Sequence, residues 1–213
     1  MNKLVNFLLN NNNFPVLFTF QDFNKRGYTV DEYNAYLKEG VLNGYIDNVY
    51  GDIYSLMPKY REKWISQGIL AQMIDSHSYL SLYYVLCDYG WIPEFVFSVT
   101  SVTPNNNCTI EAGKYGTFIY KKLYDDISEK GIEREKRADG DYRIAKPLRA
   151  LCDLMYLKNA SWKSIDTLYE VLRIGEDSLQ EDLTKGDFDE LQGSFGIKSI
   201  EVFLECIRKE LSL

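Results

Sequence analysis

The apolar positions of this chain alternate between helical and strand periods along its length. From Asn2 to Asn10, Leu4, Phe7 and Leu8 fall on one side of a helix. The asparagine run Asn10 to Asn13 and then Pro15 end it, because proline has no amide hydrogen to give a helix interior. Thr19 is placed to cap a short second helix through Phe23, with Lys25, Arg26 and Gly27 as its last turn and stop. Thr29 and Glu32 form a capping box, after which Val30, Tyr33, Leu37 and Val41 recur on one face until Gly44. The period then falls to two in Tyr45 to Tyr50 and Ile53 to Leu56, which predicts a hairpin turning at Gly51-Asp52.

Helical spacing returns beyond Pro58. Tyr60 to Ile74, with Trp64, Ile65, Ile69 and Met73 along one side, is predicted to be a connecting helix. Ser81 is placed to cap a helix carrying Leu82, Val85, Leu86 and Tyr89, which Gly90 ends. Trp91-Ile92-Pro93-Glu94 turns the chain into a strand over Phe95 to Thr103, and Cys108 to Ile110 with Tyr115 to Leu123 add two more strands around Gly113. The sheet they form is expected to be antiparallel. Asp125 to Asp141 mixes both charges with Gly131 and Gly140 and reads as an exposed loop or short helix. Tyr142 to Lys146 is a strand end, and Pro147 opens a helix whose apolar face is Leu148, Leu151, Cys152 and Met155, with Asp153 taken as a solvated position. Ile165, Leu168, Tyr169 and Leu172 share one later helical face, and Ile200, Phe203, Leu204 and Ile207 another. The fold class is therefore α+β: an N-terminal winged helix-turn-helix domain over 1–60, a connecting helix over 61–77, and a C-terminal domain over 78–213 with a small sheet and packed helices.

Composition narrows the chemistry. A chain of 213 residues, 46% hydrophobic, buries enough core to fold without disulfides or a structural metal. Cys87, Cys108, Cys152 and Cys206 are too widely spaced for a zinc site and are expected to be buried, reduced thiols. Leu4 to Leu9 is too short for a signal core or a membrane span, so a cytoplasmic location with no membrane contact is expected. There is no phosphate loop, no His-Glu-x-x-His, no Gly-x-Ser-x-Gly and no Gly-Ser followed by the Asp-x-Asp pair of a nucleotidyltransferase. Glu111 and Lys114 with Asp88 or Glu94 make an unspecific metal-nuclease grouping, and His77 stands alone. The chain is accordingly read as a non-enzyme with no catalytic residue, cofactor or metal.

The net charge of −7 is concentrated late, where Glu170, Glu176, Asp177, Glu181, Asp182, Asp187, Asp189 and Glu190 stand against Arg173 and Lys185. Phosphate would be repelled there, so any contact with DNA belongs to the first domain, whose third helix is the one that commonly enters the major groove. The candidate DNA-binding residues are Lys25, Arg26, Thr29, Asn34 and Lys38. Charge over the first sixty residues is nearly balanced, so a winged helix used for protein binding or dimerisation remains the alternative.

Five separated pieces also carry a resemblance. Tyr79-Leu80-Ser81-Leu82, Gly90-Trp91-Ile92-Pro93-Glu94, Ser98-Val99-Thr100-Ser101-Val102-Thr103, Gly116-Thr117-Phe118, and Tyr142-Arg143-Ile144-Ala145-x-Pro147 with Ala150-Leu151-x-Asp153-Leu154 resemble the AbiEi family of type IV antitoxins in order and spacing. Tyr83, Tyr84 and Leu148 depart from that pattern. The resemblance implies an N-terminal winged helix that represses its own operon at operator DNA. It also implies a second domain that counters a nucleotidyltransferase-like toxin without requiring a stable complex. The oligomeric state does not follow from it. From the helical spacing alone, Leu151→Asp should unfold the second domain by burying a carboxylate, whereas Asp153→Ala should be nearly silent in thermal unfolding.

Overall fold

The computed structural model describes residues 2–11, 14–124, 128–137 and 139–213. Three capped helices open the chain: α1 (Lys3–Leu9), α2 (Phe20–Asn24) and α3 (Val30–Leu42). Asn2 accepts the Val5 amide hydrogen at 2.9 Å, and Thr19 with Asp22 and Thr29 with Glu32 close reciprocal capping boxes. Between them the helices bury Leu4, Val5, Leu8, Phe23, Tyr33 and Leu37. On α3 the inward stripe is Tyr33, Leu37 and Gly40, while Val30 and Val41 are 53% and 41% exposed. At helical spacing both valines sit about 60–80° round from Tyr33, on the flank of the stripe rather than in it.

The hairpin forms as expected, from β2 (Ile46–Tyr50) and β3 (Ile53–Leu56). A strand too short to be read from the sequence, β1 (Leu17–Phe18), pairs antiparallel with β3 and completes a three-stranded sheet in the order β1-β3-β2. Its residues alternate between two buried faces. Phe18, Ile46, Tyr54 and Leu56 pack with the helices, whereas Leu17, Val49 and Ile53 join the core of the rest of the chain. The small sheet is thus shared by both units. Polar contacts reinforce the joint, since the Lys114 ammonium and the Tyr115 hydroxyl both reach the Asp47 carboxylate.

The connecting helix is shorter than predicted. After one 3₁₀ turn at Pro58–Tyr60 the chain runs irregularly, leaving Trp64 87% exposed, until Ser66 caps α4 (Gln67–Ile74). This helix belongs to the second unit: Ala71 accepts the Tyr120 hydroxyl at 2.9 Å, and Gln72 accepts the Arg143 amide at 2.9 Å.

The second sheet has six strands: β4 (Tyr79–Leu80), β5 (Val99–Thr103), β6 (Cys108–Glu111), β7 (Thr117–Lys122), β8 (Ile132–Arg137) and β9 (Gly140–Ala145), in the order β6-β7-β5-β4-β9-β8. It is mixed, not antiparallel. β7 forms a hairpin with β6 and enters the sheet beside β5 in parallel, and β4 pairs in parallel with β9. Every residue of β5 is buried, as expected of a central strand covered on both sides. That strand starts at Val99 and not at Phe95; Phe95 and Phe97 are 75% and 82% exposed. In the stretch read as a loop, Asp125, Asp126, Ile127 and Ala138 lie outside the described residues, but Ile132–Arg137 is an edge strand. Its run Glu133-Arg134-Glu135-Lys136-Arg137 carries no apolar alternation, and charges of this kind keep an exposed edge from pairing with another chain.

Helices α5 (Leu82–Asp88), α6 (Pro147–Leu157), α7 (Ile165–Leu172), α8 (Glu176–Asp182), α9 (Lys185–Leu191) and α10 (Lys198–Glu210) complete the chain. Ile200, Phe203, Leu204 and Ile207 are all fully buried, whereas Tyr89 and Tyr169, read as facing inward, are exposed. Among the described residues no helix is long and apolar enough to cross a membrane. Gly68 on α4 lies so close to the Tyr142 ring that an added Cβ would stand 2.6 Å from it. Gly68→Ala should therefore destabilise the protein by about 1–3 kcal/mol in urea unfolding, although alanine favours an isolated helix by about 1 kcal/mol over glycine.

Candidate functional site

Two groups of side chains stand out, one on the surface and one fully enclosed. The surface group is the outer side of α3. Asn34 and Lys38 are exposed there together with Asp31 and Ala35, and Lys25 is exposed after α2. The remaining two candidate DNA-binding residues do other work. Thr29 is the cap of α3, its hydroxyl bonded within the capping box to Glu32. Arg26 donates to the Asp22 carbonyl and lays its guanidinium over the rings of Phe7 and Phe14, 5.6 and 5.0 Å from their centroids. Several acids of the first unit have structural partners. Of the acids in the first unit, Asp22 and Glu32 are engaged in caps and Asp47 in the contact with Lys114 and Tyr115. Burial raises the Asp47 pKa, but the bonds from Lys114 and Tyr115 outweigh it and hold the carboxyl below its ordinary value.

The enclosed group centres on α6. Asp153 is completely buried and accepts four hydrogen bonds: Tyr79 Oη at 2.9 Å and Ser81 Oγ at 2.7 Å on one oxygen, Tyr124 Oη and Arg149 Nε at 3.0 Å each on the other. Arg149, 1% exposed, also donates through Nη1 to the carbonyls of Ser128 and Lys130 and through Nη2 to Tyr79 Oη at 2.8 Å. The rings of Tyr79, Tyr124 and Phe195 surround its guanidinium at 5.3, 5.5 and 4.7 Å. Burial works against the Arg149 charge, yet the adjacent Asp153 prevails and keeps it protonated. Burial and the same carboxylate raise the phenols of Tyr79 and Tyr124. The solvated role expected for Asp153 is therefore overturned: four positions after Arg149, it faces the same interior side of a helix buried nearly all round.

Ser81 departs from expectation for the same reason. Its hydroxyl is turned to Asp153 and does not cap α5, whose Tyr84 amide is taken at 3.2 Å by Thr100 Oγ1 from the neighbouring strand. The Thr100 hydroxyl in turn donates to the Ser81 carbonyl at 2.7 Å. These ties hold the next residue, buried Leu82, at φ +62°, a left-handed conformation that costs a non-glycine residue about 1–3 kcal/mol. Because solvent does not reach Asp153 or Arg149, the network can orient and rigidify but cannot meet a substrate.

The other candidate chemistry disperses. Glu111 accepts the Thr117 hydroxyl, Lys114 faces Asp47, Glu94 faces Arg173, and His77 is on the surface. Among the described residues no group of His, Cys, Asp and Glu is arranged to hold a metal ion. The cysteines are unpaired; Cys152 is buried, with its thiol pKa pushed up by that burial, but Cys108 is exposed, against expectation. The late acidic stretch is partly structural, because Asp182 accepts the Trp91 indole at 2.6 Å and Glu190 binds Lys146 and the Gly131 amide at 2.8 Å. The chain matches no family model and no curated protein.

Removing the carboxylate would leave the Arg149 charge buried without its counter-ion. Asp153→Ala should destabilise the protein by about 3–5 kcal/mol, a loss comparable to that of Leu151→Asp, when both are measured by urea unfolding. A near-silent Asp153→Ala would contradict the buried network.

Proposed function

We propose that this chain is the antitoxin of a type IV toxin–antitoxin operon and the repressor of that operon, similar in plan to the AbiEi antitoxins. The observation that carries the reading is the arrangement of the first unit. Three helices, with a strand between the first and second that adds to a terminal hairpin, follow the order of a winged helix-turn-helix. The small sheet gives one face to the second unit, which leaves the outer side of α3 free on the other. Asn34 supplies an amide suited to an adenine edge, and Lys38 and Lys25 supply cations for phosphate. Asp47 is offset by the Lys114 ammonium, whereas Asp22 and Glu32 keep their charges within the caps. Protection against a nucleotidyltransferase-like toxin falls to the second unit, where the resembling segments meet: Tyr79, Ser81, Thr100 and Asp153 belong to one hydrogen-bonded group.

A second reading, a protein-binding or dimerising module, is favoured by the exposed apolar side chains Val30, Val41 and Leu42 on α3. The two readings part in a gel-shift series on DNA upstream of the gene. Repressor function predicts salt-sensitive retardation, weakened by Lys38→Ala with the salt slope falling by about one; no retardation at low salt selects the protein-binding module. For the antitoxin half, co-expression with the neighbouring toxin gene under separate promoters should restore growth. Lys38→Ala should leave that rescue intact while relieving repression, and absence of rescue by the abundant, folded protein would refute the antitoxin role.

A further inference from the structure

Where the irregular connector meets the second unit, a cleft of about 860 Å³ opens between Trp64 and α4 on one side and Lys114, Arg137 and Tyr142 on the other. Its size is that of a small-molecule site. In a chain of net charge −7 its walls carry Arg61, Lys63, Lys114 and Arg137 against Asp88 and Asp139. Two of the cations have partners within the protein: Lys114 faces Asp47, and Arg137 pairs with Glu135 at 3.0 Å. Arg61 differs. Its Nε and Nη1 are fully buried and have no hydrogen-bond partner among the described residues. Asp47 feels its charge but spends its own bonds on Lys114 and Tyr115. Those two Arg61 donors are closed off, so the edge of the guanidinium that an anion in the cleft can meet is Nη2, which has no hydrogen-bond partner among the described residues. Beside this charge stands an indole that packs on almost nothing, Trp64, 87% exposed on the rim.

We propose that this cleft binds a nucleoside phosphate, with the phosphate at Arg61 and Lys63 and the base against Trp64. A cation pair next to an open aromatic face matches the two ends of such a ligand, a charged group and a flat ring. Asp88 and Asp139 in the same walls can accept from ribose hydroxyls or a base amino group, and they would repel the unbroken phosphate run of a nucleic-acid strand. The site is independent of the operon reading, since none of these residues lies on α3 or in the buried network.

Calorimetric titration of the full chain with ATP, GTP, inorganic phosphate and a short oligodeoxythymidine tests the proposal. At least one triphosphate should bind, Arg61→Gln should weaken it about tenfold, and Trp64→Ala about fivefold. Trp64 makes so little contact with the protein that its truncation leaves the fold unchanged, which separates lost binding from lost structure. Absence of binding by both triphosphates, equal binding by both variants, inorganic phosphate binding as tightly, or tighter binding of the oligonucleotide would each overturn it.

Discussion

One fully buried carboxylate with four donors holds the second unit in register. Asp153 joins β4 through Tyr79, the start of α5 through Ser81, the chain after β7 through Tyr124, and its own helix through Arg149. Arg149 extends the reach to the carbonyls of Ser128 and Lys130, just before β8. A buried ion pair is weak evidence of stability in itself, because desolvation offsets much of the attraction. What it supplies here is specificity: Tyr79 Oη donates to Asp153 and accepts from Arg149, so the strand and the helix have one mutual arrangement in which every partner is satisfied. The left-handed Leu82 is tolerated within that arrangement, fixed on one side by Ser81 and on the other by Thr100.

The second constraint is the small sheet with no free face. Its period of two places Tyr54 and Leu56 against the helices and Ile53 against the second unit, so a slip of one residue in β3 would exchange the two cores. The first unit is consequently anchored through its sheet, and the helices on the other face keep their outward surface. Any ligand of α3 meets a helix on a rigid support, braced by capping at Thr29 and by the Asn2 side chain bonded to the Tyr36 carbonyl.

Local chemistry was readable from residues; chemistry between distant residues was not. Capping boxes use side chains three positions apart, and α2, α3 and the hairpin were placed from the sequence within one or two residues. β1 is illegible in the sequence because two residues carry no period, and β8 because an edge strand written in alternating charges resembles a loop. Ser81 departs from its local signal for a different reason. A serine before an apolar run reads as a cap, and only the fold brings Asp153 and Thr100 close enough to displace that role. Of the five residues expected to meet DNA, Lys25, Asn34 and Lys38 are free on the surface, while Arg26 is drawn to the aromatic rings of Phe7 and Phe14, distant in sequence. Arg149 carries no sequence signal of its role, since a charge on a helix is ordinarily solvated and nothing in its neighbours announces a buried partner.

A double-mutant cycle on Arg149 and Asp153, read by urea unfolding, tests most directly whether the second unit is organised by this pair. Arg149→Met and Asp153→Leu each strand a buried charge, whereas together they leave none. The double variant should therefore be more stable than Asp153→Leu alone, with a coupling free energy of roughly 2 kcal/mol or more. Losses that simply add would show that the two side chains do not depend on each other, and would contradict the account.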